Sequence, residues 1–505
     1  MSAADEMDRA GGKAVPPRPN WRSTGDAVVL FAYAMAVLGT LRYHEKWADE
    51  AQAWLIARDL DLKTIWLHEL RYEGSPGLWH TILWVAQHVF HAGYGALGYI
   101  GAAFAVAGAA VLFYCAPFPR YVRWPLAFTY VMVYQYAVIA RPYTMLPLLA
   151  FLAARFFKEL RHPQRITAVL ALLSLLTIHG VILAGCIGVA FAVQGSKEWR
   201  TFCAGLKRSY LICASTMLCV LLFLFVILRP TPDVEEIALR NQVAAAPAWV
   251  QAQFPTLGTK LTAVISGAFL DWFVPSLLFW ALFVAWTLGR RRSIVFAMST
   301  GLLIAFYGVV HGAAHHHGTV FVAAITGLWI AWPDEARSGE VPHAPRYELR
   351  IVEALLLVLV GVNIWDSVVV IEREYLYPYC GADDAANYLR SVGADRGPVF
   401  GLLFGVVAVQ AHFDHNVFIN NPTAYFHHGL PLPTTTLDVE LLGLVKPAYV
   451  VAYSNDPQQM VATGVPELTA RGYELEHFSD GYYLYKRSVF EREVYFIFRR
   501  KPETQ

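Results

Sequence analysis

Long apolar runs without a charged residue are the feature that most constrains what this chain can fold into. Three of these runs cover residues 28–41, 209–228 and 354–362. An α-helix needs about 20 residues to cross about 30 Å of hydrocarbon, because each residue advances it by about 1.5 Å. The runs lie in segments near that length and are apolar all round, so they leave no face for water. The sequence therefore predicts an integral membrane protein built from α-helices.

The composition supports this class and argues against others. The 505 residues are 56% hydrophobic and 16% charged, whereas about 25% of residues are charged in an average soluble domain. The net charge is +1, and Lys and Arg occur in short clusters between apolar runs. Because no basic face is formed, nucleic acid is not an expected partner. The apolar runs make membrane lipids the expected partners instead. All cysteines except Cys380 lie within or beside apolar segments, which argues against a disulfide framework.

The basic clusters also indicate an orientation, since Lys and Arg accumulate in short cytoplasmic loops of membrane proteins. Residues 1–25 are then a cytoplasmic tail, and a first helix at about 26–44 leads to an external loop, 45–75. The later clusters all fall inside if segment 76–116 makes one net crossing. The other spans are predicted at about 124–140, 142–157, 166–179, 181–194, 209–229, 262–288, 293–310, 318–332 and 351–371. The predicted fold is an all-α polytopic membrane protein with about 11 transmembrane helices within residues 26–371.

The composition changes at about residue 372, where mixed charges, turn residues and short β-rich runs begin. Strands are predicted at 448–453 and 482–485, and helices at 383–389 and 438–444. We therefore expect residues 372–505 to form a small extramembrane α/β domain. The crossing count places this domain on the external, periplasmic side.

The first external loop holds the most unusual polar residues. Asp49 and Glu50 stand where the first helix leaves the bilayer and a second helix, lying flat, begins. In this position one carboxylate can face a pocket while the other accepts hydrogen bonds from free backbone N–H groups. The alternative is that both acids are solvated charges at the membrane surface.

Three elements in this order resemble the glycosyltransferase C superfamily, especially bacterial aminoarabinose transferases and protein O-mannosyltransferases. The first is the Asp49-Glu50 pair, the second is Tyr72-Glu73-Gly74-Ser75-Pro76-Gly77-Leu78, and the third is the external turn Arg141-Pro142-Tyr143. The chain lacks the second proline of the family's second element. It also has Met145 where family members often carry an acid. The resemblance covers about the first 330 residues.

The resemblance implies an inverting glycosyltransferase at the external face of a bacterial inner membrane. A sugar would pass from a polyprenyl-phosphate donor to a lipid, glycan or protein acceptor. Asp49 aligns with the first acid of the family motif, so it is expected to take the proton of the acceptor hydroxyl, with Glu50 as the other catalytic candidate. The lipid phosphate needs a cationic clamp, and Arg141 with its forked guanidinium is expected to supply it, with Arg58 second.

Each of these arginines has a simpler alternative. Arg141 lies near a helix end, where a long cationic side chain readily reaches water, and Arg58 suits a solvated helix face. The remaining candidates for substrate or phosphate binding are Tyr72, Glu73, Tyr143, His315 and His316.

The histidines are also candidate metal ligands. His311 and His315 are spaced for one helix face, but they lack an obvious third ligand, so one histidine is expected to contact phosphate or form a hydrogen bond instead. The C-terminal histidines, such as His412 and His415, are interpreted as structural. We assign no metal ligands, although a divalent metal is compatible with the resemblance.

Two other functions compete with a transferase. A transporter or flippase would move lipid-linked substrates without chemistry, but the sequence shows no paired broken helices in corresponding halves. A scaffold that recruits partners through the C-terminal domain would leave Asp49 and Glu50 unexplained.

Overall fold

A computed structural model describes residues 24–229, 256–289, 293–310, 314–333, 346–421, 423–426 and 439–502. A bundle of helices forms the larger part, and a small mixed sheet follows it. Nearly all of the predicted tail, 1–25, lies outside the described residues. The longer helices of the bundle are α1 (Thr24–Leu41), α2 (Ala48–Asp59), α3 (Leu78–His88), α4 (Ala96–Cys115), α5 (Leu146–Phe156), α6 (Pro163–Ser174), α7 (Ile178–Lys197), α8 (Ala204–Ile227), α9 (Leu257–Ala268), α10 (Phe273–Leu288), α11 (Val295–Val309), α12 (Gly318–Ala331) and α13 (Arg346–Leu376).

The described helices include several that are long and apolar enough to cross a membrane. Five pass by length and composition: α1, α4, α7, α8 and α13. Helices α9 and α10 meet at an angle of 70°, and they make a sixth membrane-spanning element if the two together form one broken span. The chain is therefore a multi-pass membrane protein, but the predicted count of about 11 spans is not confirmed. Segment 76–116 does hold two helices, α3 and α4, and of these two only α4 is long and apolar enough to cross a membrane.

The predicted span at 124–140 is not a continuous helix. A short helix, Arg120–Leu126, contains Pro125, and a single π-helical turn, Val131–Gln135, follows before the chain reaches Arg141 in extended conformation. Irregular backbone at membrane depth is tolerated only where protein covers it and satisfies its polar groups. Tyr33 supplies one such partner, because its hydroxyl donates to the Met132 carbonyl at 2.6 Å. The break brings Arg141 to the end of the bundle at which α1 ends and α2 begins.

Helix α2, which was expected to lie flat where the first helix leaves the bilayer, is largely buried in protein. Nine of its residues are buried, including Gln52 and the whole run 50–57. It packs on α3 on one side and on the short helix Val406–Gln410 of the C-terminal part on the other. Its few polar side chains therefore face protein, and their partners can be identified.

The C-terminal part contains the predicted sheet. Strands β1 (Val399–Leu402), β2 (Tyr449–Ser454), β3 (Tyr473–Tyr485) and β4 (Val489–Arg500) stand in the order β1-β2-β4-β3. Among these four described strands, β1 and β2 pair in parallel and the other neighbours are antiparallel, and Val399 faces Tyr449 in the β1–β2 register. Helix Ala382–Ser391 and helix Val439–Val445 correspond closely to the helices predicted from the sequence.

Both faces of this sheet are buried, because alternate residues of a strand point to opposite sides. In β4, Tyr495 and Ile497 join the large core that also includes the helical bundle. Phe496 and Phe498 join a second, smaller core within the domain. The sheet is therefore packed against the bundle rather than tethered to it.

A buried group of charges fixes the turn between β3 and β4 to the bundle. The Lys486 ammonium lies 2.5 Å from an oxygen of Asp271, which stands at the break between α9 and α10, and 3.7 Å from Asp366 of α13. Arg487 lies 3.3 Å and 3.4 Å from the same two acids. Two cations and two carboxylates thus balance one another where the strands meet the helices.

Candidate active site

A cavity of about 440 Å³ opens where the start of α2, the turn before α3 and the start of α7 meet. The end of α11 and the turn 314–316 form its remaining wall. Its acidic, basic and histidine lining residues in the described ranges are Asp49, Glu73, His80, Arg141, His179, His315 and His316. Cavities of about 300 to 1,000 Å³ with a few converging polar groups are typical ligand sites.

Asp49 and Arg141 form an ion pair inside this cavity. The carboxylate Oδ2 of Asp49 lies 3.0 Å from Nη2 of Arg141, and the side chains are 22% and 17% exposed. The guanidinium also lies over the rings of Trp47, at 5.6 Å, and Tyr143, at 5.5 Å. Its other terminal nitrogen, Nη1, is buried and has no hydrogen-bond partner among the described residues. Arg141 is therefore a fixed cation, packed between two rings, with one donor nitrogen unused.

Glu50 points away from the cavity and is completely buried. Its carboxylate accepts hydrogen bonds from the backbone N–H of Ala140 at 2.6 Å and of Trp47 at 3.2 Å. The second bond satisfies a free N–H at the start of α2, as expected for a carboxylate that caps a helix. The adjacent acids are thus inequivalent: Asp49 lines the cavity, and Glu50 fixes the backbone beside it.

Glu50 belongs to a buried network that reaches α13. His44 bridges two carboxylates, with Nε2 3.0 Å from Glu50 and Nδ1 2.9 Å from Glu374. The Tyr134 hydroxyl also donates to Glu374. Burial lowers the pKa of His44, but the charges of Glu50 and Glu374 outweigh it and raise that pKa to about 10. The imidazolium therefore joins the start of α2 to the end of the last long helix.

An aromatic and imidazole wall stands near this ion pair. The rings of His179 and Tyr307 stack with centroids 5.3 Å apart, and the His316 ring lies 5.4 Å from His179. Tyr143 completes the wall, because its ring lies 5.6 Å from that of His316. This surface offers ring faces to a bound group rather than charge.

His315 lies between this wall and Arg141. Its backbone carbonyl accepts from the Gln135 side chain at 2.7 Å, and its ring lies 5.9 Å from that of Trp47. Burial and the Arg141 cation hold the pKa of His315 well below its usual value, so the ring is neutral at pH 7. Gly318 begins α12 close to Gln135, because a Cβ there would lie 2.8 Å from the Gln135 Oε1 atom.

Glu73 reaches the cavity from the turn that precedes α3. The Gln52 side-chain nitrogen donates to Glu73 at 2.9 Å, and the Phe426 N–H donates to the Gln52 oxygen at 3.0 Å. The next residue, Gly74, has a φ of 60°, a left-handed conformation that favours glycine. A segment of the C-terminal domain thus helps to orient Gln52, which in turn orients Glu73.

The strands of the C-terminal domain also approach the catalytic candidates. The Tyr483 ring lies 5.7 Å from that of Trp47, and Glu493 lies in the neighbouring strand. Burial raises the pKa of Glu493 to about 7, and the nearby charge of Asp49 adds to this effect. The domain is therefore part of the surroundings of the site.

Two predicted binding residues lie away from the cavity. Arg58 pairs with its neighbour Asp59 at 2.6 Å and donates to the Phe413 carbonyl at 2.6 Å, so it links α2 to the C-terminal domain. Tyr72 is partly buried and does not line the cavity. The expectation that Arg58 is a second phosphate clamp is therefore not supported by its position, since its guanidinium is already engaged elsewhere.

The lining residues that the sequence analysis did not single out include Gln52, His80, His179 and Tyr307. His179 stands inside an apolar run, two residues after Thr177, which caps α7 by accepting from the Gly180 N–H at 3.0 Å. A histidine within a membrane segment is itself a sign of function. That signal was available for His179, and His80 also stands in a mainly apolar segment.

Among the described residues, no three His, Cys, Asp or Glu side chains come together in a way that could hold a metal ion. His311 and the C-terminal histidines His427 and His428 lie outside the described residues. His412 instead pairs with Asp383 at 2.9 Å, and His415 contacts the Asp395 carbonyl at 3.0 Å. These contacts agree with a structural role for His412 and His415.

The sequence matches no family model and no curated protein. The fold is similar to that of the solved protein ArnT at 15% sequence identity, and this likeness concerns the fold alone.

The solved structures with this fold include ArnT from Cupriavidus metallidurans, an aminoarabinose transferase. In the apo state it is 15% identical, covers 94% of this chain and 98% of its own, and gives a TM-score of 0.51. The same protein bound to undecaprenyl phosphate has the same identity and coverage and a TM-score of 0.49. The arabinofuranosyltransferase AftD from Mycobacteria is 12% identical, covers 97% of this chain and 42% of its own, and gives a TM-score of 0.36.

Proposed function

We propose that this protein is an inverting glycosyltransferase that moves a sugar from a polyprenyl-phosphate donor to an acceptor hydroxyl at the external face of the membrane. The observation that carries the proposal is the pairing of Asp49 with Arg141 in the cavity, with Arg141 Nη1 buried and unused. A carboxylate and a guanidinium side by side supply the base and the phosphate clamp that such a transfer requires. The fold shared with ArnT supports the same reaction class.

The guanidinium can serve both groups at once because it is forked. Nη2 already holds Asp49, and Nη1 is free to donate to a phosphate oxygen. Packing between Trp47 and Tyr143 fixes the guanidinium plane before the donor arrives, so little reorganisation is needed when charge develops. Neutral His315, beside Trp47, offers a further hydrogen bond without adding charge.

The reaction then proceeds in one displacement. The acceptor oxygen attacks the anomeric carbon, the bond from that carbon to the phosphate oxygen breaks, and the lipid phosphate leaves with the bonding electrons. Asp49 takes the acceptor proton and later returns it to water. When the lipid phosphate leaves the sugar, it gains one negative charge, and Arg141 offsets this charge. Donor phosphate on Arg141 also brings negative charge toward Asp49, and this makes the carboxylate a better proton acceptor.

The donor and the side of the membrane rest on separate reasoning. A phosphate linked to a polyprenyl chain suits a clamp at the edge of a membrane bundle, because the chain can remain in lipid while the phosphate enters the cavity. The cavity lies on the same side as the C-terminal domain, which the basic clusters place outside. In a bacterial cell this is the periplasmic face of the inner membrane.

Mass spectrometry of lipid-linked sugars and surface glycans tests the proposal in cells with and without the gene. We expect deletion to cause accumulation of one polyprenyl-phosphate sugar and loss of one modification. Asp49→Asn, expressed at the wild-type level, should reproduce both changes. Full restoration by the Asp49→Asn variant would instead support a transporter or flippase, because transport needs no proton acceptor at that position.

A further inference from the structure

We propose that His80, together with Glu73, forms a hydroxyl-binding subsite that recognises a sugar ring in the cavity. The proposal rests on the glycosyltransferase function proposed above and adds to it the residues that read the sugar. His80 is 3% exposed, lines the cavity, and has neither ring nitrogen hydrogen-bonded among the described residues. A buried imidazole without partners costs free energy, so its position in a ligand cavity indicates that a ligand supplies them.

The neighbouring groups indicate the chemistry of that ligand. Neutral imidazole has one donor and one acceptor nitrogen, and a carboxylate only accepts. A sugar hydroxyl both donates and accepts, so neighbouring hydroxyls match His80 and Glu73 together. Gln52 holds one Glu73 oxygen at 2.9 Å and is itself tied to Phe426, so the carboxylate is set in place.

This subsite differs in charge from the phosphate end of the cavity. Arg141 is the cationic lining residue of the described part, and it stands with Asp49. Beside Glu73 a phosphate would be repelled, whereas a neutral hydroxylated ring would not. The stacked rings of His179 and Tyr307 supply an apolar surface in the same cavity for the face of a sugar. The cavity thus separates phosphate binding from sugar recognition.

The sugar ring could belong to the donor or to a glycan acceptor, and one set of variants distinguishes them. The test uses full-length protein in lipid nanodiscs with His80→Phe, which keeps a ring and removes the hydrogen bonds. His80→Gln restores one donor and one acceptor. His88→Phe is the matched control, because His88 is exposed on the same helix. Arg141→Gln reports separately on the phosphate clamp.

The probes are undecaprenyl phosphate alone, undecaprenyl phosphate carrying one glucose, mannose or arabinose, and methyl glycosides added with undecaprenyl phosphate. For a donor subsite, His80→Phe weakens binding of the preferred glycosylated lipid about 10- to 100-fold, as expected for a lost buried hydrogen bond, and leaves the bare lipid phosphate unchanged. For an acceptor subsite, the variant spares both lipids and weakens the methyl glycosides. His80→Gln should recover part of either loss, and His88→Phe should behave as wild type.

Other outcomes overturn the inference. If His80→Phe changes no probe, or weakens bare and glycosylated lipid equally, His80 is a structural residue. If Arg141→Gln leaves bare undecaprenyl phosphate binding intact, the proposed clamp fails, whatever the result at His80. The two proposals can therefore fail independently.

Discussion

The carboxylate of Glu50 accepts a hydrogen bond from the backbone N–H of Ala140 at 2.6 Å, one residue before the cation that pairs with Asp49. Two successive residues at the start of α2 thus hold two successive residues of the turn at 140–141. The inner contact is buried and backbone-directed, and the outer contact, Asp49 with Arg141 at 3.0 Å, lines the cavity. The inner contact therefore fixes the geometry of the outer one.

Glu50→Gln should lower stability more than it damages the chemistry. The amide can still accept one hydrogen bond, but it cannot balance the His44 imidazolium, and a hydrogen bond to a charged group contributes about 1.5 to 3 kcal/mol. We expect a lower thermal unfolding midpoint in detergent, with transfer largely retained at low temperature. Glu467→Gln is the control, because that side chain is 50% exposed in a surface ion pair. Equal midpoints for the two variants would contradict the role given to Glu50.

The His44 bridge makes stability depend on pH. The pKa of His44 is raised from 6.5 to about 10 in the folded protein. Burial lowers this pKa, but the charges of Glu50 and Glu374 raise it by more. The contribution is therefore fully present below pH 6.5, declines as pH rises, and is lost above about 10. Thermal midpoints measured from pH 6 to about 10.5 should fall, and His44→Gln should remove that component of the fall. If the thermal midpoint of His44→Gln depended on pH in the same way as that of the wild type, the stabilising role of the His44 bridge would be refuted.

Much of the site followed from local sequence rules. Adjacent helical positions point about 100° apart, which predicts that Asp49 and Glu50 serve different purposes. Arg141 stands at the end of a long uncharged stretch, where a cation is uncommon and therefore indicates a functional role. In the C-terminal part, β2, the end of β3 and two helices were predicted, because β-rich runs and helical periodicity leave clear signals over short distances, whereas β1 and β4 were not predicted.

The remaining features depend on contacts between distant parts of the chain. Glu374 is far in sequence from His44, and Phe426 is far from Gln52, so no local pattern links them. The break within 124–140 was missed because hydropathy registers burial without distinguishing a helix from a covered irregular segment. The burial of α2 also depends on a distant part of the chain, because the Val406–Gln410 helix packs on it.

The predicted orientation can be tested by cysteine labelling at two exposed positions. Cys380 is unsuitable, because it is 1% exposed and contacts the Tyr495 hydroxyl at 3.3 Å. Ser391→Cys, at the exposed end of helix Ala382–Ser391 in the C-terminal domain, should react with an impermeant thiol reagent in intact spheroplasts. The native Cys203 is also exposed and lies between α7 and α8 on the predicted cytoplasmic side, so it should react only after permeabilisation. The opposite pattern would reverse the topology.

Arg141→Lys should impair donor use although it preserves the charge. Lysine presents a single ammonium, so it cannot hold Asp49 through one nitrogen and a phosphate oxygen through another in the same plane. We expect at least about a tenfold fall in kcat/KM for the donor, near 1.4 kcal/mol. Arg487→Lys is a comparison, since Arg487 is a cation paired with Asp271 and Asp366 outside the cavity. A fully active Arg141→Lys protein would return Arg141 to the role of a membrane-edge cation.

Asp49→Asn should abolish transfer while leaving folding and donor binding largely intact. The amide keeps the shape of the side chain and an oxygen that can face Arg141 Nη2, but it cannot take a proton from the acceptor. Loss of a positioned base lowers a rate by about 10² to 10⁴, or on the order of 3 to 5 kcal/mol.

Single-turnover rates and the binding of undecaprenyl phosphate, both measured on purified Asp49→Asn protein, separate the chemical step from binding. Because Glu50 already supplies the structural contacts, the unfolding midpoint of this variant should stay near that of the wild type, unlike that of Glu50→Gln. If Glu50→Gln instead lost transfer at full stability while Asp49→Asn stayed active, the base would be Glu50 and the cavity-facing acid would have another role. If neither variant lost activity, the cavity beside Arg141 would not be the site of transfer.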